Sequence, residues 1–199
     1  MSGAFPISSA KFQTLGIKSI QDTILSKTVS GKKLARQIDG QRWGFTAKII
    51  TAKRSDVYGD LMAFIVKQRS GKENFTIIPP EVEDARGTAS GIPTGTASAG
   101  ATSITLGGTG TGTLKAGDFI KFANHDKVYM VVADQSDIST GTLTIEPPLT
   151  TAISSSTIVY DNVPFTVYLT NDVQEFGAVG ADNNGNVLYQ FEIDVEEAL

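Results

Sequence analysis

The sequence predicts a mainly β protein: a β-sandwich or barrel-like domain with one helix, into which a small β-barrel domain is inserted. Three observations carry that prediction. Short apolar runs alternating with polar residues recur from Arg42 to Val195, with Gly, Pro, Asn and Asp between them. One segment, 57–65, changes to helical spacing. Residues 87–112, GTASGIPTGTASAGATSITLGGTGTG, carry no charge and interrupt both patterns.

In chain order, the segment 42–49 places Trp43, Phe45, Ala47 and Ile49 on one face, with Arg42, Thr46 and Lys48 between them, as a half-buried strand requires. Val57, Leu61, Phe64 and Ile65 then line one side of a helix over 55–69, opposite Asp60, Lys67 and Arg69. Ser55 is placed to cap it, Asp56 to complement its dipole and Gly71 to stop it. Residues 75–78 read as a strand ended by Pro79-Pro80.

The uncharged stretch reads as a flexible linker, with a short strand in its later part, 101–106. Strands at 103–106, 119–122, 128–133, 142–146 and 157–160, separated by turn residues, predict the small barrel. Val163, Phe165, Val167 and Leu169 form the inward set of a later strand, and Val187, Tyr189, Phe191, Ile193 and Val195 that of another. Asp182-Asn183-Asn184-Gly185 precedes the second, so the two are expected to form a long hairpin. A hairpin alone is marginal in water, so it is expected to join the strands of 1–86. The expected organisation is a discontinuous domain, 1–86 and 161–199, with 87–160 inserted.

Composition narrows the possibilities. The 199 residues, 40% of them hydrophobic, are enough to bury a core. The absence of cysteine removes disulfides and thiolate metal sites. No run of about 18 apolar residues is present, so no membrane insertion is expected. Residues 1–9 lack the basic start and apolar stretch of a secretory signal. The net charge of −4 is unevenly divided. Residues 1–86 carry fourteen Lys and Arg against eight Asp and Glu, and 87–199 carry three against thirteen, so +6 and −10 sum to −4. The basic residues are dispersed and not interleaved with aromatics, which favours faces that meet one another over a nucleic-acid site.

Three stretches together resemble the phage distal tail protein family, which includes minor tail proteins of the M type. They are Gly31-Lys32-Lys33 through Asp39-Gly40-Gln41-Arg42-Trp43-Gly44-Phe45; Arg54-Ser55-Asp56 with Leu61-Met62-Ala63-Phe64-Ile65 and Gly71; and Phe75-Thr76-Ile77-Ile78-Pro79-Pro80. The inserted segment, with Lys115-Ala116-Gly117-Asp118-Phe119-Ile120, is similar to small β modules of phage structural proteins. The resemblance implies a ring, a hexamer in that family, that joins the tail tube protein to the tail hub or tip proteins and lets DNA pass. It implies a virion component assembled in the host cytoplasm, with no cofactor. Arg42, Trp43, Arg54, Phe64, Pro79 and Pro80 become the candidate ring-interface or core residues.

Candidate chemistry is sparse. His125 is the one histidine and lies in a turn between Asn124 and Asp126, so it has no partners for a metal set. Asp182-Asn183-Asn184-Gly185-Asn186 partly resembles a calcium loop but lacks the following Glu at the required place. Gly108 to Gly112 lacks the Gly-Lys-Ser/Thr of a phosphate loop, and no nucleophile elbow is present. Trp43 is expected in the core, on the inward face of its strand. Arg42 and Arg54 could pair with acids across subunits. Glu192, Asp194, Glu196 and Glu197 read as an acidic face, and a lumen lined by it would repel passing DNA. The second reading is a carbohydrate-binding module, with Phe119, Phe122, Tyr129 and Tyr160 as stacking candidates. An enzyme ranks third.

Overall fold

The structure, a computed structural model, describes residues 3–6, 11–37, 40–80 and 82–199. Asp39, part of the first resembling stretch, lies outside these residues, as do residues 1, 2 and 7–9 of the N-terminal segment.

The protein is mainly β. A five-stranded antiparallel sheet gathers β1 (Phe12–Ile20), β4 (Arg42–Ile49), β16 (Glu192–Glu197), β13 (Phe165–Leu169) and β6 (Phe75–Ile77), in that spatial order. Its middle register is set by apolar residues that face the same side, with Phe45 opposite Val195 and Val195 opposite Leu169. That side is closed by Val57 and Tyr58, in a π-helical turn (Arg54–Tyr58), and by Leu61 and Ile65 of helix α1 (Gly59–Lys67). Phe45 meets Phe165 edge-on, with ring centroids 4.8 Å apart, a favoured aromatic geometry. Two smaller ribbons flank the sheet. One is the hairpin of β2 (Thr23–Lys27) and β3 (Lys33–Gln37). The other joins β5 (Ala52–Lys53), β14 (Gly177–Ala181) and β15 (Val187–Gln190).

A closed barrel occupies the middle of the chain. Its six strands are β7 (Pro93–Ala97), β8 (Ser103–Gly108), β9 (Phe119–Phe122), β10 (Val128–Val131), β11 (Thr142–Glu146) and β12 (Ile153–Val159). Ile104, Phe122, Tyr129, Leu143 and Ile145 fill its interior. Asp118, buried at the barrel mouth, accepts the backbone N–H of Arg86 at 3.1 Å and of Lys115 at 2.7 Å, and so fixes the chain where it enters.

Four expectations are corrected. The uncharged stretch is not a linker, because it supplies β7 and β8. Its small residues permit close packing: a Cβ on Gly95 would stand 2.8 Å from Ile104 Cγ2 and 3.0 Å from Phe122 Cε1. The late hairpin has the expected turn but a different partner. The Asp182–Gly185 turn joins β15 to β14, and β16 pairs instead with β13 and β4. The chain breaks its ladder at Phe191, between β15 and β16.

The helix begins later than expected. Ser55 caps nothing; its hydroxyl donates to the Asp56 carboxylate at 3.1 Å. Nor does Gly71 stop the helix. Arg69 and Ser70 take the left-handed backbone, with φ of 54° and 62°. Gly71 is instead needed where the chain passes β13, since a Cβ there would lie 2.7 Å from the Leu169 carbonyl oxygen.

Candidate interaction surfaces and the sheet–barrel junction

The β2–β3 hairpin is exposed along its entire length on both faces. Ile24 and Leu34 lie on one face and Leu25 and Ala35 on the other, and Ile24 and Leu25 are 55% and 61% exposed. Lys27, Lys32, Lys33 and Arg36 surround these apolar residues. β1, which leads into the hairpin, is the outer strand of its sheet. An unpaired edge is a template for another strand, and a two-stranded ribbon that buries neither face gains little from packing.

The four acidic candidates do not share one face. Glu192, Asp194 and Glu196 point outward from β16, whereas Glu197 is buried with Ile193 and Val195. Nor is the outer face purely acidic. Asp194 accepts Lys18 Nζ at 3.1 Å and the Thr46 hydroxyl at 2.6 Å, Glu196 pairs with Arg42 Nε at 3.0 Å, and Glu192 stands opposite Lys48 in register. The absence of any base after residue 127 concealed this neutralisation, because the bases come from β1 and β4.

The ring-interface or core candidates separate in the same way. Trp43 is buried, Phe64 is half-buried between Phe5 and Phe75, and Pro79 is buried with Pro80 beside it. Arg42 reaches Asp22 at 3.6 Å as well as Glu196, both within the subunit. Arg54 is exposed at the start of the π-helical turn.

The remaining motifs are occupied internally. His125 bonds Tyr129 Oη through Nε2 at 2.8 Å and Asn124 Oδ1 through Nδ1 at 2.9 Å, and burial lowers its pKa. In the Asp182 turn, the Lys53 ammonium stands 2.6 Å from the carboxylate, where a cation would otherwise sit. Lys53 and Asn186 hold the Asp182 carboxyl well below the usual carboxylate range. Among the described residues no group of three or more His, Cys, Asp or Glu is placed to hold a metal. Phe119, Phe122, Tyr129 and Tyr160 are all buried, so the barrel offers no stacking platform from them. This removes the feature on which the carbohydrate-binding reading depended.

One cluster was not foreseen. Gln41 just before β4, Lys127 just before β10 and Glu197 at the end of β16 meet where the sheet touches the barrel. Glu197 receives Lys127 Nζ, the Trp43 N–H at 3.1 Å and the Val128 N–H at 2.8 Å. The Trp43 indole donates to the Val128 carbonyl at 3.0 Å and packs edge-on against Phe119. The signal lay in the period of β16: Glu197 falls on the apolar phase of that strand, two residues after Val195.

Residues 83–163, about two-fifths of the chain, match the family model described as distal tail protein pb9, B domain, of a phage distal tail family. The matched segment contains the whole barrel and stops short of 31–80, where the sequence motifs of the resemblance lie. No curated protein matches the chain.

Proposed function

We propose that the chain is a non-enzymatic structural subunit of a phage tail tip, which closes with copies of itself into a ring between the tail tube and the tip or baseplate hub. The premise is the match of residues 83–163 to a domain of a distal tail protein, which supports a structural role in a phage tail. We read 1–86 with 161–199 as the ring-forming unit and 87–160 as a unit inserted into it.

The observation that carries self-assembly is the β1 edge continued by the exposed β2–β3 hairpin. Its exposed apolar centre is a surface that a neighbouring copy would cover. Six copies, as in the resembling family, would close the ring. The outer face of the sheet, with Lys18, Arg42 and Lys48 interleaved among Glu192, Asp194 and Glu196, would present a mixed, near-neutral wall to passing DNA. Such a wall neither grips phosphates nor strongly repels them.

Gold-labelled antibody against the purified chain tests the placement. Label at the distal end of the tail in electron micrographs of virions is the expected result. Label on the capsid, or particles without label, overturns it.

A further inference from the structure

A lysine amine, a carboxamide and a carboxylate are sealed together at the sheet–barrel junction. Gln41, Lys127 and Glu197 are 2%, 3% and 1% exposed. Lys127 Nζ donates to Gln41 Oε1 at 3.0 Å and to Glu197 Oε2. The other end of the Gln41 amide is also fixed, with Nε2 donating to Ser19 Oγ at 3.1 Å and to the Arg42 carbonyl at 3.2 Å. The carbonyl end therefore faces the lysine. The Trp43 ring stands 6.0 Å from Nζ, and its edge-on contact with Phe119 helps close the site to solvent.

We propose that Lys127 and Gln41 become joined by an isopeptide bond, with Glu197 moving the protons, so that the sheet and the barrel are covalently stapled. The inference rests on the junction alone and does not depend on the tail-tip reading.

An ammonium is not a nucleophile, and its proton must first leave. Burial lowers the Lys127 pKa and raises that of Glu197, which brings the neutral amine and neutral acid within reach of each other. Reacting atoms need to approach to roughly 3–3.5 Å, and the 3.0 Å hydrogen bond from Nζ to Oε1 holds the amine beside the carbonyl group whose carbon it must reach.

Glu197 accepts a proton from Nζ, and the freed lone pair attacks Gln41 Cδ. The new Nζ–Cδ bond forms as the carbonyl opens to a tetrahedral oxyanion. Glu197 then delivers its proton to Nε2 and takes the remaining surplus proton from Nζ. The Cδ–Nε2 bond breaks, the carbonyl re-forms, and the departing ammonia takes that last proton from Glu197. In total, a lysine ammonium and a primary amide become a secondary amide and an ammonium ion, and Glu197 returns to its starting state. Nothing is oxidised or reduced, and no co-reactant is needed. Exclusion of water disfavours the competing hydrolysis of the amide.

The test is the mass of the full chain under denaturing conditions, followed by tryptic mapping. The expected mass is below the sequence mass by one ammonia. Lys127 is the last basic residue, and an acylated lysine resists trypsin, so the linked product is 37–42 joined to an uncut 122–199. E197Q is expected to restore the full mass while its circular dichroism stays that of the wild type.

A wild-type chain at its full sequence mass, with free 37–42 and 122–127 peptides, overturns the proposal. So does an ammonia deficit that maps to Asn184-Gly185 as a succinimide with 37–42 unlinked. A bond that persists in E197Q overturns the role given to Glu197.

Discussion

Asp182, Glu196 and Glu197 are carboxylates put to three different uses, and each use follows from where the backbone sets the side chain. Asp182 folds back on its own turn and accepts the backbone N–H groups of Asn184 and Asn186, both at 2.9 Å. Its pKa is depressed chiefly by Lys53 and then by Asn186. A depressed folded value means that the stabilisation is complete above the ordinary aspartate pKa of about 3.9 and is lost as the pH falls through the lower folded value. The protection of the amides across β14 and β15, taken relative to the intrinsic exchange rate at each pH, should therefore be flat from neutral pH down to about 4 and fall only in stronger acid. In D182A protection should be low at every pH, and equal protection in the variant at neutral pH would refute the role given to this turn.

Glu196 was legible in the sequence as an outward acid of an alternating strand. Glu197 was not, because a run of acids at a chain end reads as one solvated face until the strand is known to continue through it. Phe165 was legible as core from the same alternation. Truncating it to Ala should cost roughly 3–5 kcal/mol in urea unfolding, since it leaves a void against Phe45 and Phe119.

Among elements, those with one buried face announced themselves. β4 and β11 fall where alternation put them, because a period of two directly records one face turned to the core, and β9 falls where its apolar run between turn residues put it. β1 escaped notice because its register shifts between Phe12 and Thr14, which breaks the period. The β2–β3 hairpin buries no face and so has no alternation to read. β7 and β14 were hidden by composition, since small residues look like a linker until their neighbours are known. Gly95 makes the point testable. G95A places a methyl group against Ile104 and Phe122, and should destabilise the barrel by about 1–3 kcal/mol through overpacking. A variant as stable as the wild type would show that the barrel wall there is slack.

For the whole molecule, the distribution of charge makes sense only in three dimensions. The basic first part and acidic last part looked like two opposed surfaces. The sheet instead interleaves them, pairing β1 and β4 bases with β16 acids. The hairpin bases remain outside that pairing and surround exposed apolar side chains. Placing Asp at Ile24 and Leu34 together should leave the circular dichroism of the folded chain that of the wild type, since both side chains are exposed. The same pair should abolish association between copies.

The central claim is that this chain assembles with itself through that edge and hairpin. Light scattering of the purified chain tests it most directly. The expected result is one closed species at several times the 21.1 kDa chain mass, lost in the Ile24 and Leu34 double variant. A mass of 21.1 kDa at every concentration, or assembly that the double variant leaves intact, would contradict it.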